Sequence, residues 1–271
     1  MMKNKALIIT LIILLSIIII FLAIFLYMGL KGGLNLKNVF VGFVPKSTNV
    51  IFDKQFELDI ISNIEINQDA GDVLIKQATN NCIQVVCYGE DINDVQVDLN
   101  DGILNIEYSH KNKITFFNFR DIQNDIIVYL PSNYLHEINI TNNYGKCDFI
   151  DLENATVNIS CDAGDVELGK VKNANISCDC GNIEVKEILN KCDIEADCGN
   201  IKIDNISIQE DSSIKADLGD VEINNTNDIY IDAEVDLGNI KIDKNNRLAE
   251  TTLKIYSDCG NIEVKNNQGI Q

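Results

Sequence analysis

The chain has 271 residues and sets 41 acidic side chains against 22 basic ones, a formal charge of −19. Residues 1–46 hold five lysines and no acid, so the remainder carries 17 basic and 41 acidic groups, or −24; a body this acidic cannot grip nucleic acid through its phosphates and is repelled by anionic lipid headgroups. Two prolines, no tryptophan and 16 glycines, with Ile, Val, Asn and Asp abundant, argue against a disordered chain and against a collagen-like one.

Residues 1–5 form a short tail with Lys3 and Lys5. From Ala6 to Leu30 there is no charge, and only Thr10, Ser16, Tyr27 and Gly29 interrupt Ile, Leu, Phe, Ala and Met. At about 1.5 Å per residue a helix over 6–30 reaches roughly 37 Å, enough to cross the hydrocarbon of a bilayer. A cleaved signal peptide is the competing reading, but its apolar region is normally about 7–15 residues and ends on small residues. Tyr27-Met28-Gly29-Leu30-Lys31 is a poor cleavage site by that measure. The expectation is one transmembrane anchor whose partner is the lipid bilayer. Lys31 and Lys37 nearly balance Lys3 and Lys5 across the span, so orientation rests on the short tail, which favours a cytoplasmic N-terminus and an extracellular body. An odd number of cysteines, nine, pulls toward a reducing compartment instead.

Residues 31–49, with Gly32, Gly33, Gly42 and Pro45, read as a linker. From 50 to 131 the chain reads as short strands at Phe56–Ile60, Asn63–Ile66, Val73–Ile75, Gln84–Val86, Val95–Leu99, Ile103–Tyr108 and Ile126–Leu130. Asp101-Gly102 is a hairpin turn signal, Lys111–Asp121 is a polar-aromatic loop, and Pro131 ends a strand. Residues 50–131 are expected to cap the repeats of residues 132–265.

Those repeats share one pattern: Asp, a small or apolar residue, Gly, Asp or Asn, then apolar-x-apolar. The copies centre on Gly164, Gly181, Gly199, Gly219, Gly238 and Gly260, with a weaker one at Gly145 and an outlying one at Gly71. From Gly145 onward the glycines lie 19, 17, 18, 20, 19 and 22 residues apart. A unit this small cannot bury its apolar face alone, so the period signals stacked repeats. Alternation at period two makes each copy a strand, a tight Gly corner and a second strand. The predicted fold is all-β, a parallel β-solenoid preceded by one transmembrane helix, with seven coils standing roughly 34 Å tall. The outward residue three after each glycine reads Glu167, Glu184, Lys202, Glu222, Lys241, Glu263. Its alternating sign from Glu184 suits in-register stacking of consecutive coils. Residues 266–271 are a tail.

Taken together, Ile64-Glu65-Ile66 leading into Asp69-Ala70-Gly71-Asp72-Val73, then Tyr88-Gly89-Glu90, Asp101-Gly102-Ile103-Leu104-Asn105-Ile106, Val128-Tyr129-Leu130-Pro131 and the Gly-Asp/Asn-Ile repeats resemble the bacterial putative-adhesin family. That is a domain of unknown function built as a β-solenoid, and the resemblance spans about residues 50–265. It implies an envelope-tethered protein associated with envelope-stress systems, and it supplies no catalytic residues. Cysteine-rich copies depart from the family's usual Ser/Thr-Gly pattern.

Asp162, Asp179, Asp197, Asp217, Asp236 and Asp258, two before the glycines, form a column of like charge. Each carboxylate either accepts backbone N–H bonds in its own turn, beside a glycine that supplies positive φ, or shares calcium with neighbouring turns through Asp165, Asp220 and the Asn side chains at the corner. The nine-residue calcium motif of β-rolls is absent. The cysteines fall on positions that alternation turns inward: Cys180, Cys198 and Cys259 replace Ala or Leu, and Cys161 and Cys178 replace Ala or Val. They read as core thiols, as disulfides between adjacent coils (Cys161 with Cys178, Cys180 with Cys198) or as metal ligands, although Cys178-Asp179-Cys180 lacks zinc spacing. Cys82 and Cys87 could pair locally. Two arginines (Arg120, Arg247) and two histidines (His110, His136) leave little for general acid–base work. The expected function is therefore a membrane-tethered, non-catalytic module for adhesion, envelope stress or protein scaffolding, without a cofactor. The alternative is a calcium-dependent surface module that binds or cleaves carbohydrate.

Overall fold

The computed structural model describes residues 49–109 and 124–266. The tail 1–5, the anchor expected over 6–30, nearly all of the 31–49 linker, the Lys111–Asp121 loop and residues 267–271 lie outside the described residues. Among the described residues no helix is long and apolar enough to cross a membrane.

The described chain is all-β. Seven strands precede the repeats: β1 (Val50–Glu57), β2 (Asn63–Gln68), β3 (Val73–Gln77), β4 (Cys82–Tyr88), β5 (Val95–Asn100), β6 (Ile103–Tyr108) and β7 (Ile126–Leu130). The repeats supply β8 (Glu137–Tyr144), β9 (Cys147–Phe149), β10 (Leu152–Ala163), β11 (Val166–Cys180), β12 (Ile183–Cys198), β13 (Ile201–Ile206), β14 (Ser212–Leu218), β15 (Val221–Thr226), β16 (Tyr230–Leu237), β17 (Ile240–Ile242), β18 (Thr252–Cys259) and β19 (Ile262–Val264). The strand expected at Phe56–Ile60 stops at Glu57, because Leu58–Ile60 turn into a 3-10 loop closed by Ile61 N–H on the Leu58 carbonyl at 3.0 Å.

Each repeat is a rung with a strand on either side of its glycine. The strands before the glycines make one parallel stack, ordered β6, β2, β8, β10, β11, β12, β14, β18, β16. Those after the glycines make a second, ordered β7, β3, β9, β11, β12, β13, β15, β19, β17. At one end antiparallel strands finish the stacks: β5 on β6, and β4 with β1 on β7. A purely parallel solenoid therefore describes the repeats but not this end.

Two departures from chain order matter. The outlying rung β2/β3 sits between β6/β7 and β8/β9. At the far end the last rung, β18/β19, inserts between β14/β15 and β16/β17. Consecutive stacking of the final coils, which the charge alternation suggested, is thus incorrect. The connection 243–251 gives the chain enough length to pass over one rung, so rung β16/β17 becomes the open edge.

The core follows from alternation. Ile159, Ile176, Ile194, Ile214 and Ile255 stack in register in the first sheet, and Val166, Ile183, Ile201, Val221 and Ile262 in the second, all of them buried. Burying each such side chain contributes about 1.5–3 kcal/mol, and the column repeats it rung after rung.

Candidate functional site

The edge where the rungs turn carries the unusual residues. Gly71, Gly145, Gly164, Gly181, Gly199, Gly219, Gly260 and Gly238 stand one above another in that order. A Cβ built on each glycine from Gly145 onward would lie 1.7–2.0 Å from the carbonyl oxygen of the glycine beneath it. Close backbone approach therefore explains the glycine at every corner. Positive φ accounts for fewer of them: Gly71, Gly145, Gly164, Gly181 and Gly238 have it, while Gly199, Gly219 and Gly260 do not.

The residue after the glycine closes the corner. Asn182 N–H donates to Asp165 Oδ1 at 2.8 Å, Asn200 N–H to Asn182 Oδ1 at 3.0 Å and Asp220 N–H to Asn200 Oδ1 at 2.9 Å. Asn261 N–H reaches Asp220 Oδ1 at 2.7 Å, and Asn239 N–H reaches Asn261 Oδ1 at 3.2 Å. Each side chain thus satisfies the backbone of the next rung, and either Asp or Asn serves, since only an acceptor oxygen is needed. This is the capping role weighed for the aspartates two before the glycine, carried by their neighbours and directed between rungs rather than within a turn.

Those aspartates lie along the outer surface. Asp162, Asp179, Asp197 and Asp236 are exposed, and Asp217 and Asp258 partly so. Lys215 Nζ contacts Asp217 at 2.9 Å, and Tyr256 Oη donates to Asp236 at 3.3 Å. The Asp258 carboxylate, then desolvation, pushes the Tyr256 phenol up. The six carboxylates are strung along the edge, one per rung; among the described residues no group of three or more His, Cys, Asp or Glu converges in a metal-binding cluster.

The position just before the glycine differs from the inward placement expected of it. In spatial order it reads Tyr144, Ala163, Cys180, Cys198, Leu218, Cys259 and Leu237. Tyr144, Leu218 and Leu237 are 61%, 55% and 70% exposed, and all three cysteines are exposed. Strand alternation ends at the corner, where the backbone turns and carries this residue onto an outer ridge. Two residues earlier alternation holds. Cys161 and Cys178 are buried in adjacent rungs, and both donate to the Gly164 carbonyl, at 3.6 and 3.4 Å. Ser257 and Asn142, at the same level, donate to the Gly219 carbonyl at 3.3 Å and the Gly145 carbonyl at 3.0 Å. A small donor under the corner thus satisfies glycine carbonyls that point inward. The neighbouring Cys161 thiol, then burial, pushes the Cys178 thiol up; burial alone pushes Cys87 up to about 12. All nine cysteines are free, Cys82 and Cys87 among them.

The outer faces carry ladders. Asn175 donates to Asn158 at 2.6 Å, Asn158 to Asn139 at 2.6 Å and Asn139 to Asn63 at 3.4 Å. From Asn139 on, these asparagines stand six residues before their glycines, a register visible in the sequence but not singled out there. They line a shallow depression of about 420 Å³ on the open sheet face, with Thr141, Ser160 and Glu195. His136 meets the Tyr134 ring edge-on at 5.7 Å, and Arg247 lies in the 243–251 connection, both away from the corner.

The family model described as Toastrack DUF4097 matches residues 61–270. The crystal structure of a putative adhesin from Bacteroides fragilis superposes with a TM-score of 0.51 at 15% identity, covering 80% of this chain and 97% of that one. A putative lipid binding protein from Parabacteroides distasonis gives 0.44 at 15% identity, covering 81% and 98%. A putative cell adhesion protein from Clostridium sporogenes gives 0.38 at 13%, covering 79% and 98%. A search of curated proteins finds no match.

Proposed function

We propose, from the premise that this chain belongs to the Toastrack DUF4097 family, that it is a membrane-tethered, non-catalytic surface module of the bacterial cell envelope, used for adhesion, envelope stress or protein scaffolding. The observation that carries the reading is the glycine-on-glycine stack. It fixes every outward column at one rung spacing, so a partner meets the same side-chain pattern many times over. Such a surface binds by many weak contacts whose sum exceeds any one of them. The uncharged run 6–30 supports the tether, and the acidic body would be held off anionic headgroups while anchored beside them.

Expressing the full-length chain in bacterial cells and shaving intact cells with protease tests the reading. The body should be cut on intact cells while the chain stays in the membrane fraction, and deletion of residues 6–30 should release it from that fraction. A body that is cut only after lysis would overturn surface display.

A further inference from the structure

The exposed ridge contains two thiols whose juxtaposition the proposed function does not use. Cys180 and Cys198 are direct partners across the parallel pair β11–β12. Both are exposed. Parallel neighbours in register bring their Cα atoms to about 4.8 Å with both Cβ atoms on the same side of the sheet, inside the span a disulfide bridges. The backbone beneath them is fixed: Gly181 N–H donates to the Cys198 carbonyl at 3.0 Å, and Gly199 packs directly against Gly181. Neither sulfur can drift out of register without breaking the corner.

The remaining cysteines provide internal contrasts. Cys161 and Cys178 are also register partners, but they are buried and spent on the Gly164 carbonyl. Cys259 is exposed on the same ridge, but Leu218 on one side and Leu237 on the other separate it from any thiol. Accessibility and a facing thiol coincide, among the described residues, at Cys180 and Cys198.

We infer that Cys180 and Cys198 form a surface dithiol that small disulfides oxidise to a clip between successive rungs. One thiolate attacks a sulfur of the small disulfide, whose S–S bond breaks; one half stays as a mixed disulfide and the other leaves as a thiolate and takes up a proton. The second cysteine, deprotonated, attacks the protein sulfur of the mixed disulfide and expels the other half, which is protonated in turn. The protein loses two electrons and two protons, and the small disulfide gains both as two thiols. The product ties β11 to β12 at the corner and leaves the fold unchanged.

The test treats the full-length reduced protein, in detergent, with oxidised glutathione and maps cysteine linkages by mass spectrometry over time. A Cys180–Cys198 linkage should appear first, roughly tenfold or more ahead of any modification of Cys161 or Cys178, be reversed by dithiothreitol and raise the melting temperature. Cys180→Ser and Cys198→Ser should each stop at a glutathione adduct on the surviving partner, with unchanged melting in the reduced form; Cys259→Ser should close as the wild type does. Persistent glutathione adducts on both Cys180 and Cys198 in the wild type, linkage between chains, or earlier linkage of Cys161 to Cys178 would each overturn the proposal. None of these readouts depends on membrane tethering or on display outside the cell, so the clip and the proposed function fail separately.

Discussion

At the scale of single residues, the corner glycines are held by sterics more than by backbone handedness. Gly199 shows the difference, because it lacks positive φ yet its Cβ would stand 1.8 Å from the Gly181 carbonyl oxygen. That oxygen belongs to a backbone locked into the rungs on both sides, so the clash cannot relax locally. Gly199→Ala should cost about 3 kcal/mol or more. Gly102 is the opposite case: it has φ +83, but the one tight contact of its Cβ would be with the Ser62 hydroxyl, at 2.9 Å. That side chain can rotate away at the loss of its exposed hydrogen bond to the Gly102 carbonyl, at 3.2 Å, so Gly102→Ala should cost little beyond the left-handed penalty of about 1–2 kcal/mol. Urea unfolding of both variants checks the order; a loss at Gly199→Ala no larger than that at Gly102→Ala would mean that the corner relaxes around an added Cβ. The regular spacing of the glycines made their column legible in the sequence. Which flanking acid caps the corner was not, since Asp stands on both sides of Gly219 and only the hydrogen-bond direction separates Asp217 from Asp220. Nor was the exposure of Cys180, Cys198 and Cys259, because extending strand periodicity through a corner assumes a straight backbone where the chain bends.

At the scale of elements, the swapped order of the last two rungs changes which charges meet. Glu222 lies opposite Glu263, and Glu263 opposite Lys241. The like pair is bridged by Lys265, which contacts Glu222 and sits 3.4 Å from Glu263, while Lys241 holds Glu263 at 2.6 Å. Lys241 first, and Lys265 with it, hold the Glu263 carboxyl below its ordinary range, and Glu222 first raises the Lys265 ammonium. A depressed acid contributes stability above its unfolded pKa and loses it as pH falls through the folded one; a raised lysine contributes below its unfolded pKa and loses it as pH rises through the folded one. Both contributions are present at neutral pH. Lys265→Gln should therefore lower the melting temperature at pH 7, and the deficit should shrink as falling pH protonates Glu263 through its depressed folded pKa. Adding Glu222→Gln should restore most of the neutral loss. A deficit that persists in acid would mean that Lys265 acts through packing instead. Sequence could not reveal this order, because both late rungs share one register and either fits between β14/β15 and solvent. The rung left outside carries Asp232, Glu234 and Asp236 along its edge strand, and such repeated charge keeps an open strand from pairing with another chain.

At the scale of the whole molecule, an acidic body with one carboxylate column along its corner is stable only because burial outweighs repulsion. Neighbouring carboxylates about 5 Å apart repel by roughly 1 kcal/mol per pair in water, and a Debye length near 10 Å at about 0.1 M salt leaves that repulsion only partly screened. Lys215 relieves it at Asp217, while Asp162, Asp179 and Asp197 stand exposed in successive rungs. Added salt should therefore raise the melting temperature through screening, and the two readings of the column differ in which salt does it. If the column only endures its own repulsion, sodium and calcium chloride at equal ionic strength raise melting alike, and Asp179→Asn with Asp197→Asn raises it at low salt while flattening the salt response. If calcium bridges rungs, calcium exceeds sodium, and that excess disappears in Asp197→Asn with Asp217→Asn. The spread-out placement of the six carboxylates favours the first outcome, and calorimetry with calcium on the same variants measures it directly: no heat beyond dilution leaves screening as the whole effect, whereas saturable heat that the Asn variants abolish would make the corner a cation site and revive the calcium-dependent reading of the surface.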